Sequence, residues 1–174
     1  MKILLVSFFS IALFSLAVPP TLVRRTILDG KADILLPADF LIMPEEAILK
    51  KYPKDRRPTL VYTDPTGGVN VAFNHTTTKL AQKDLEAYRQ SFVKTFKQLY
   101  PKAEWKLSGV KNVNDRNVGF VEVITPATDT RIYNLIFFTE MEGRLLMCTF
   151  NCVEAIHKDW MLPAQTIMNS LRLK

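Results

Sequence analysis

Ile132-Tyr133-Asn134-Leu135-Ile136-Phe137-Phe138 is the segment that indicates the fold most clearly. Its apolar side chains scarcely alternate with polar ones, which is typical of a strand that is covered on both faces. Turn sequences flank it, Pro126-Ala127-Thr128-Asp129 before it and Glu142-Gly143 after it, and these favour hairpins. We therefore predict an antiparallel meander with helices packed on both faces. Its four strands are Trp105–Val113, Val118–Thr125, Arg131–Thr139 and Arg144–Val153.

Two amphipathic segments can supply the covering helices. The first ends at Pro101 and carries an apolar stripe with helical spacing, made of Leu85, Tyr88, Phe92, Phe96 and Leu99. The second closes the chain and has one apolar face, made of Ile156, Trp160, Ala164, Ile167, Met168 and Leu171. Pro163 lies inside the second segment and predicts a kink or a new helical piece, because proline removes a backbone donor.

Shorter elements precede the first of these helices. Leu60–Tyr62 and Val69–His75 read as strands on either side of a Pro- and Gly-containing turn, and Thr76–Thr78 then leads into the helix. A short helix from Glu45 to about Lys51 begins after Pro44, with acidic residues in its first turn. Ile34–Pro37 predicts a strand that is short or at an edge, since proline cannot donate to a ladder.

The N terminus has the pattern of a secretory signal. Residues 3–18 form a run of 16 uncharged apolar and small residues, which would span about 24 Å as a helix. A bilayer core of about 30 Å is thicker than that. We expect cleavage between Ala17 and Val18, and therefore no stable membrane span in the mature chain. The alternative is an uncleaved anchor made of residues 3–18.

Composition excludes several classes of site. The chain has 174 residues, two cysteines and two histidines, which is too few for a disulfide scaffold or a four-thiolate metal centre. We predict no catalytic, cofactor-binding or metal-binding residues, and no cofactor. Cys148 and Cys152 would lie about 13 Å apart along one strand face, so we interpret both as small core side chains. The open alternatives are a disulfide, if the chain curls back, and a thiol enzyme in which His157 serves Cys152 as a base.

The positive charge of the chain is concentrated in one segment. Of the net charge of +6, residues 79–111 contribute +5, from eight basic and three acidic side chains. Lys83, Lys94 and Lys97 lie opposite the apolar stripe of the long helix. They are a possible face for an anionic partner, although a solvated helix surface has the same composition. Nucleic acid is not expected, because an exported protein does not meet it and aromatic residues are not interleaved with the basic ones.

The order of elements resembles a known family. It runs strand, short helix, hairpin, long helix, meander, terminal helix, and the end of the chain contains Cys148-Thr149-Phe150-Asn151-Cys152-Val153, Trp160 and Ile167-Met168-Asn169-Ser170-Leu171. In these features residues 30–172 resemble the PsbP-like superfamily, which includes PsbP, Ran-binding Mog proteins and small exported bacterial proteins of unknown role. The resemblance implies an α+β fold, an α/β/α sandwich, and no shared catalytic residue.

These observations give one expectation for organisation and function. The chain would consist of a signal peptide (1–17), an extended segment (18–29) and a single PsbP-like domain (30–174). We expect an exported, periplasmic or secreted, non-enzymatic domain that acts as an accessory or binding module. Its partner would be an envelope protein or an anionic surface component. The thiol enzyme and a passive domain anchored by residues 3–18 are the alternatives.

Overall fold

The computed structural model describes residues 19–52 and 57–174. The expected cleavage site at Ala17 and Val18 lies outside the described residues. The described strands form one sheet of seven strands and one of three, and they are joined by three α-helices. No helix in this part of the chain is long and apolar enough to cross a membrane.

The larger sheet contains the predicted meander. Its described strands are β3 (Leu41–Ile42), β4 (Leu60–Thr63), β5 (Asn70–Lys79), β6 (Glu104–Val113), β7 (Arg116–Pro126), β8 (Arg131–Met141) and β9 (Arg144–Val153). They lie in the order β3-β4-β5-β9-β8-β7-β6, and every neighbouring pair is antiparallel. The four strands β6 to β9 follow one another as hairpins, which confirms the meander.

Strand β8 is buried on both faces, as its composition predicts. Tyr133, Leu135 and Phe137 point to one side and belong to the main hydrophobic core. Ile136 and Phe138 point to the other side and belong to a second core. Burying a side chain of this size contributes roughly 1.5–3 kcal/mol to stability, so a strand buried on both faces holds two layers in place.

The first face of the sheet, called the α3 side below, is covered by α3 (His157–Asn169) and by the smaller sheet. That sheet has the order β1-β2-β10 and consists of β1 (Leu22–Ile27), β2 (Ala32–Pro37) and β10 (Arg172–Leu173). Ile34 and Leu36 of β2 are fully buried against the same core as Phe150 of β9. This layer is therefore part helix and part sheet.

The second face, called the α2 side, is covered by two helices. The longer, α2 (Leu85–Leu99), lies over β6 and β7, and its Tyr88 and Phe92 rings pack 5.1 and 5.7 Å from the Phe138 ring. The shorter, α1 (Glu45–Lys51), packs through Ala47 and Ile48 on the opposite end of the sheet. Helices on both faces of an antiparallel sheet make the fold α+β, as predicted.

Four local expectations can be compared with the structure, and three of them need correction. Leu99 is 59% exposed, because Phe96 makes the contact to the sheet at this end of α2, 5.8 Å from the Trp105 ring. Thr76–Thr78 continue strand β5 instead of leading into the helix. β2 is the short strand that Pro37 predicts, but it is central in its sheet, since Pro37 is its last residue. The helix α3 runs without interruption through Pro163.

Candidate functional site

The three lysines of the possible anionic-partner face are all exposed. Lys83 lies in the 3₁₀ turn Gln82–Asp84 that precedes α2, and Lys94 and Lys97 lie one turn apart on α2 itself. Within residues 19–52 and 57–174, none of the three forms an ion pair with a carboxylate. Lys97 Nζ stands 5.2 Å from the centre of the Trp105 ring. We refer to Lys83, Lys94 and Lys97 as the lysine face.

Two neighbouring basic residues of the same segment, Arg89 and Lys106, are neutralised by nearby acids. Arg89 Nε donates to a Glu86 carboxylate oxygen at 2.9 Å, and Lys106 pairs with Glu104. Hydrogen bonds from Arg89 lower the pKa of Glu86 to about 2, and those from Lys106 lower the pKa of Glu104 to about 2. The lysine face therefore carries unpaired charge in a segment where Arg89 and Lys106 are already paired with acids.

Cys148 and Cys152 lie on the α3 side of β9, and both are free and buried. Burial raises the pKa of the Cys148 thiol far above its usual range and that of the Cys152 thiol to about 12. Thiols with such pKa values stay protonated at neutral pH, and the protonated form is a poor nucleophile. The interpretation of both cysteines as core side chains is confirmed.

His157 is not arranged as a base for Cys152. Its Nδ1 lies 2.6 Å from the carbonyl oxygen of Glu154, and its ring packs 5.7 Å from the ring of Tyr133. In the described part of the chain, no hydrogen bond joins His157 to the sulfur of Cys152, a residue that is 1% exposed. The geometry gives no support to a thiol enzyme built on this pair.

His75, the other histidine, lies on β5, and its Nε2 is 3.0 Å from the carbonyl oxygen of Met141. It borders an open depression with Asp29 and Lys31, and Lys31 is paired with Glu142 at 2.9 Å. Among the described residues, no three His, Cys, Asp or Glu side chains come together as ligands for a metal ion.

Glu122 is a buried acid that the sequence reading does not single out. It lies on the α3 side of β7 and is 5% exposed, and its carboxylate is close to the Tyr133 hydroxyl. The hydroxyl of Tyr133 is also buried and has no partner of standard hydrogen-bond geometry among the described residues. Burial, and then the nearby Glu122 carboxylate, raise the pKa of Tyr133. The indication of this buried acid in the sequence is a single acidic residue within the otherwise apolar strand Val118–Thr125.

Glu122 faces a cavity of about 110 Å³ between the sheet and α3, called the Glu122 pocket below. Its walls are mostly apolar and include Leu107, Phe120, Leu135 and Met168. Lys111 of β6 and Gln165 of α3 supply the other two polar groups of the lining. Three polar side chains from three different elements thus meet around one small apolar space.

Comparison with known proteins gives a fold and not an activity. No protein-family model matches the sequence, and no curated protein matches it. The solution structure of cyanobacterial PsbP (CyanoP) from Synechocystis is similar, with a TM-score of 0.62, 13% identity and coverage of 94% of this chain and 98% of that one.

Two further solved structures share the architecture. The Ran-binding protein Mog1p of Saccharomyces cerevisiae has a TM-score of 0.56 at 10% identity, over 88% of this chain and 96% of its own. LpqN of Mycobacterium tuberculosis, which is involved in cell envelope biogenesis, has a TM-score of 0.52 at 10% identity, over 88% and 91%. At these identities the likeness establishes the fold alone, and that fold is PsbP-like.

Proposed function

From its PsbP-like fold, we propose that this chain is an exported, non-enzymatic domain that binds another component of the cell envelope. Export rests on the uncharged run of residues 3–18, which has the length of a signal-peptide core. The involvement of LpqN in cell envelope biogenesis supports the same setting. Both thiols are buried, and the described residues contain no cluster of metal ligands, so neither feature suggests a catalytic activity.

The observation that carries a binding role is the lysine face. Exposed charges of one sign that are not matched within the protein attract a partner of the opposite sign and raise its rate of association. Lys83, Lys94 and Lys97 meet this condition in the described structure, because nearby acids such as Glu86 already have partners. The group they contact would be anionic, on a lipid headgroup, a surface polymer or an acidic protein.

Co-sedimentation with native envelope membranes tests this role. The bound fraction of the wild-type protein should fall as salt rises from about 0.01 M to about 0.3 M, because the Debye length shrinks from about 30 Å to below 8 Å. Reversal of Lys83, Lys94 and Lys97 to Glu should reduce binding at low salt by at least about tenfold, since each unit of charge near an anionic surface contributes about 1 kcal/mol.

A second triple variant separates the lysine face from net charge. Lys50, Lys158 and Arg172 are exposed and lie outside residues 79–111. Their reversal to Glu changes the total charge by the same amount and should leave most of the binding in place. Equal losses in the two variants would mean that only net charge matters. Unchanged binding after reversal of the lysine face would remove it as the contact surface.

A further inference from the structure

The two outer strands of the larger sheet differ in length. β3 at one edge has two residues, whereas β6 at the other edge has ten. A free strand edge can pair with a further strand, and proteins commonly protect it by shortening, by proline or by a bulge. β6 contains no proline, and its bulge lies near its start, between Trp105 and Leu107. From Leu107 to Val113 the strand pairs regularly with β7, so this part has an ordinary free edge.

The hairpin between β6 and β7 shows which backbone groups of β6 point outward. Asn114 and Asp115 have φ values of 49° and 65°, as in a two-residue type I′ turn. Such a turn makes Val113 and Arg116 a hydrogen-bonded pair, and bonded and non-bonded pairs then alternate along the ladder. The residues whose N–H and C=O groups point away from β7 are therefore Ser108, Val110 and Asn112. Among residues 19–52 and 57–174, these groups make no backbone hydrogen bond to another element.

The α2 side of this edge is positively charged. Ser108 and Val110 point to that side, since the Ser108 hydroxyl accepts from Arg89 at 3.1 Å and Val110 packs on the second core. Lys97 of the lysine face reaches the same strand, where its Nζ stands 5.2 Å from the centre of the Trp105 ring. Side chains of an added strand that point to the α2 side would lie along the helix flank that carries Lys97. A carboxylate is the group that this cation favours.

The α3 side of the edge is mostly apolar. Leu107 lies on that side and is 56% exposed, although it is a large apolar side chain. Two residues further on, Gly109 has no side chain, and the half-buried Phe120 ring lies 3.3 Å from the place where its Cβ atom would be. A valine or leucine side chain on an added strand can contact Leu107 and Phe120, and this contact would remove apolar surface from water.

The charges along β6 favour an acidic partner over a second copy of this chain. Glu104 is already paired with Lys106 and Arg131. Lys97 and Lys111 lie over aromatic rings and have no carboxylate partner in the described parts of the chain. Pairing of two β6 strands would bring the unmatched lysines of both copies together, and like charges across a ladder are destabilising. An acidic strand would match them instead.

We propose that β6 binds an extended segment of an acidic envelope protein as an added antiparallel strand of the larger sheet. Acidic side chains of the segment lie on the α2 side, toward the lysine face, and alternate with apolar side chains against Leu107 and Phe120. Main-chain hydrogen bonds to Ser108, Val110 and Asn112 provide affinity, and the alternation provides specificity. This partner rests on the envelope-binding function proposed above, because the lysine face is the positive flank of β6.

NMR titration of the full chain with the peptide acetyl-Glu-Val-Glu-Val-Glu-Val-Glu-amide tests strand addition. Saturable shifts and slower hydrogen exchange should appear at the amides of Ser108, Val110 and Asn112, because their N–H groups gain acceptors. The amides of Gly109 and Lys111 already bond to β7, so their exchange should change less. Acetyl-Glu-Glu-Val-Val-Val-Glu-Glu-amide has the same composition without alternation and should bind at least about tenfold more weakly. No saturable shift at the three outward amides would overturn the proposal.

N-methylation of the peptide separates main-chain pairing from charge attraction. In an antiparallel ladder, directly opposite residues have their side chains on the same side of the sheet. The glutamates therefore lie opposite the outward-pointing residues of β6 and donate their N–H groups to it, while the valine N–H groups point away. Methylation of two glutamate nitrogens should weaken binding at least about tenfold, and methylation of two valine nitrogens should weaken it less. Equal affinities of these two peptides, or the reverse order, would overturn antiparallel strand addition.

Asn112→Pro blocks the edge in the protein itself. Asn112 is exposed and its N–H points away from β7, so proline removes an outward donor without breaking a bond of the ladder. The variant should bind the alternating peptide at least about fivefold more weakly than Asn112→Ala, which loses the same side chain and keeps the N–H. Equal affinities of the two variants would contradict the proposal. If Asn112→Pro does not fold, the methylated peptides with the wild-type chain still decide the question.

Co-sedimentation with native envelope membranes distinguishes failure of strand addition from failure of the proposed function. Strand addition predicts that Asn112→Pro loses binding as the lysine-face variant does, and that the alternating peptide competes with the membranes. Full binding by Asn112→Pro, together with loss in the lysine-face variant, would keep the envelope role and overturn the acidic strand in favour of a lipid headgroup or a surface polymer. Peptide binding at β6 without any envelope binding would contradict the proposed function and leave the peptide-binding edge in place.

Discussion

At the residue scale, the close packing of the α2 side depends on the missing side chain of Gly119. Gly119 pairs with Phe138 across β7 and β8, and the fully buried Phe138 ring lies over it. A Cβ atom at this position would meet the ring edge, 2.7 Å from Phe138 Cζ and still nearer to Cε2. The ring cannot simply move away, because Tyr88 and Phe92 hold it from above.

Gly119→Ala should therefore destabilise the protein by about 1–3 kcal/mol, the usual cost of overpacking a core. Chemical denaturation monitored by circular dichroism measures this change. Gly109→Ala is the matched control, because its Cβ would lie 3.3 Å from a partly exposed Phe120 ring that has room to adjust. An equal loss of stability at both positions would contradict the explanation.

At the scale of elements, Ser170 joins α3 to the smaller sheet. Its hydroxyl donates to the carbonyl oxygen of Ile167 at 2.7 Å and accepts the backbone N–H of Leu35 at 2.8 Å. The hydroxyl thus extends the pairing of β2 beyond the two residues of β10. A helix end and a strand separated by more than 130 residues are connected through one oxygen atom.

Ser170→Ala should lower the free energy of unfolding by about 1–2 kcal/mol, because the Leu35 N–H loses its acceptor at a largely buried place. Thermal and urea unfolding give the value. The control is Ser91→Ala on the exposed surface of α2, where alanine is the better helix former and stability should change by less than about 0.5 kcal/mol. A loss no larger at Ser170 than at Ser91 would show that the connection contributes nothing.

At the scale of the whole molecule, the covering layers are anchored unequally. The helix α3 buries Pro163, Ala164, Ile167 and Met168, whereas α1 has no buried residue. β3, next to α1, has two residues, and both Leu41 and Ile42 are exposed. Local opening needs less free energy where fewer apolar contacts are lost.

Native-state hydrogen exchange should reflect this difference. Amides of α1 should exchange through local opening, at least about tenfold faster than amides of α3, which should open only with the central strands β5, β9 and β8. Mass spectrometry of peptides covering residues 45–51 and 157–169 measures both rates under one condition. Equal protection of the two helices would contradict the unequal anchoring.

Local patterns in the sequence are enough to predict the larger sheet and the helices that cover its two faces. Whether apolar and polar residues alternate is a local property of the sequence. The meander, the helices and the two-sided burial of Ile132–Phe138 therefore follow from residues that are close along the chain. The same reasoning placed Cys148 and Cys152 in the core. It also predicted that Lys83, Lys94 and Lys97 share a polar face, because helical spacing separates a polar face from an apolar one.

Contacts between segments that are distant along the chain could be seen in the tertiary structure alone. The pairing of β10 with β2, the contact of Ser170 with Leu35 and the exposure of Leu99 depend on where elements stop against one another, which no local pattern encodes. The Glu122 pocket arises in the same way. A lone acid in an apolar strand is visible in the sequence, but Lys111 and Gln165 line the same cavity only because β6, β7 and α3 converge in three dimensions.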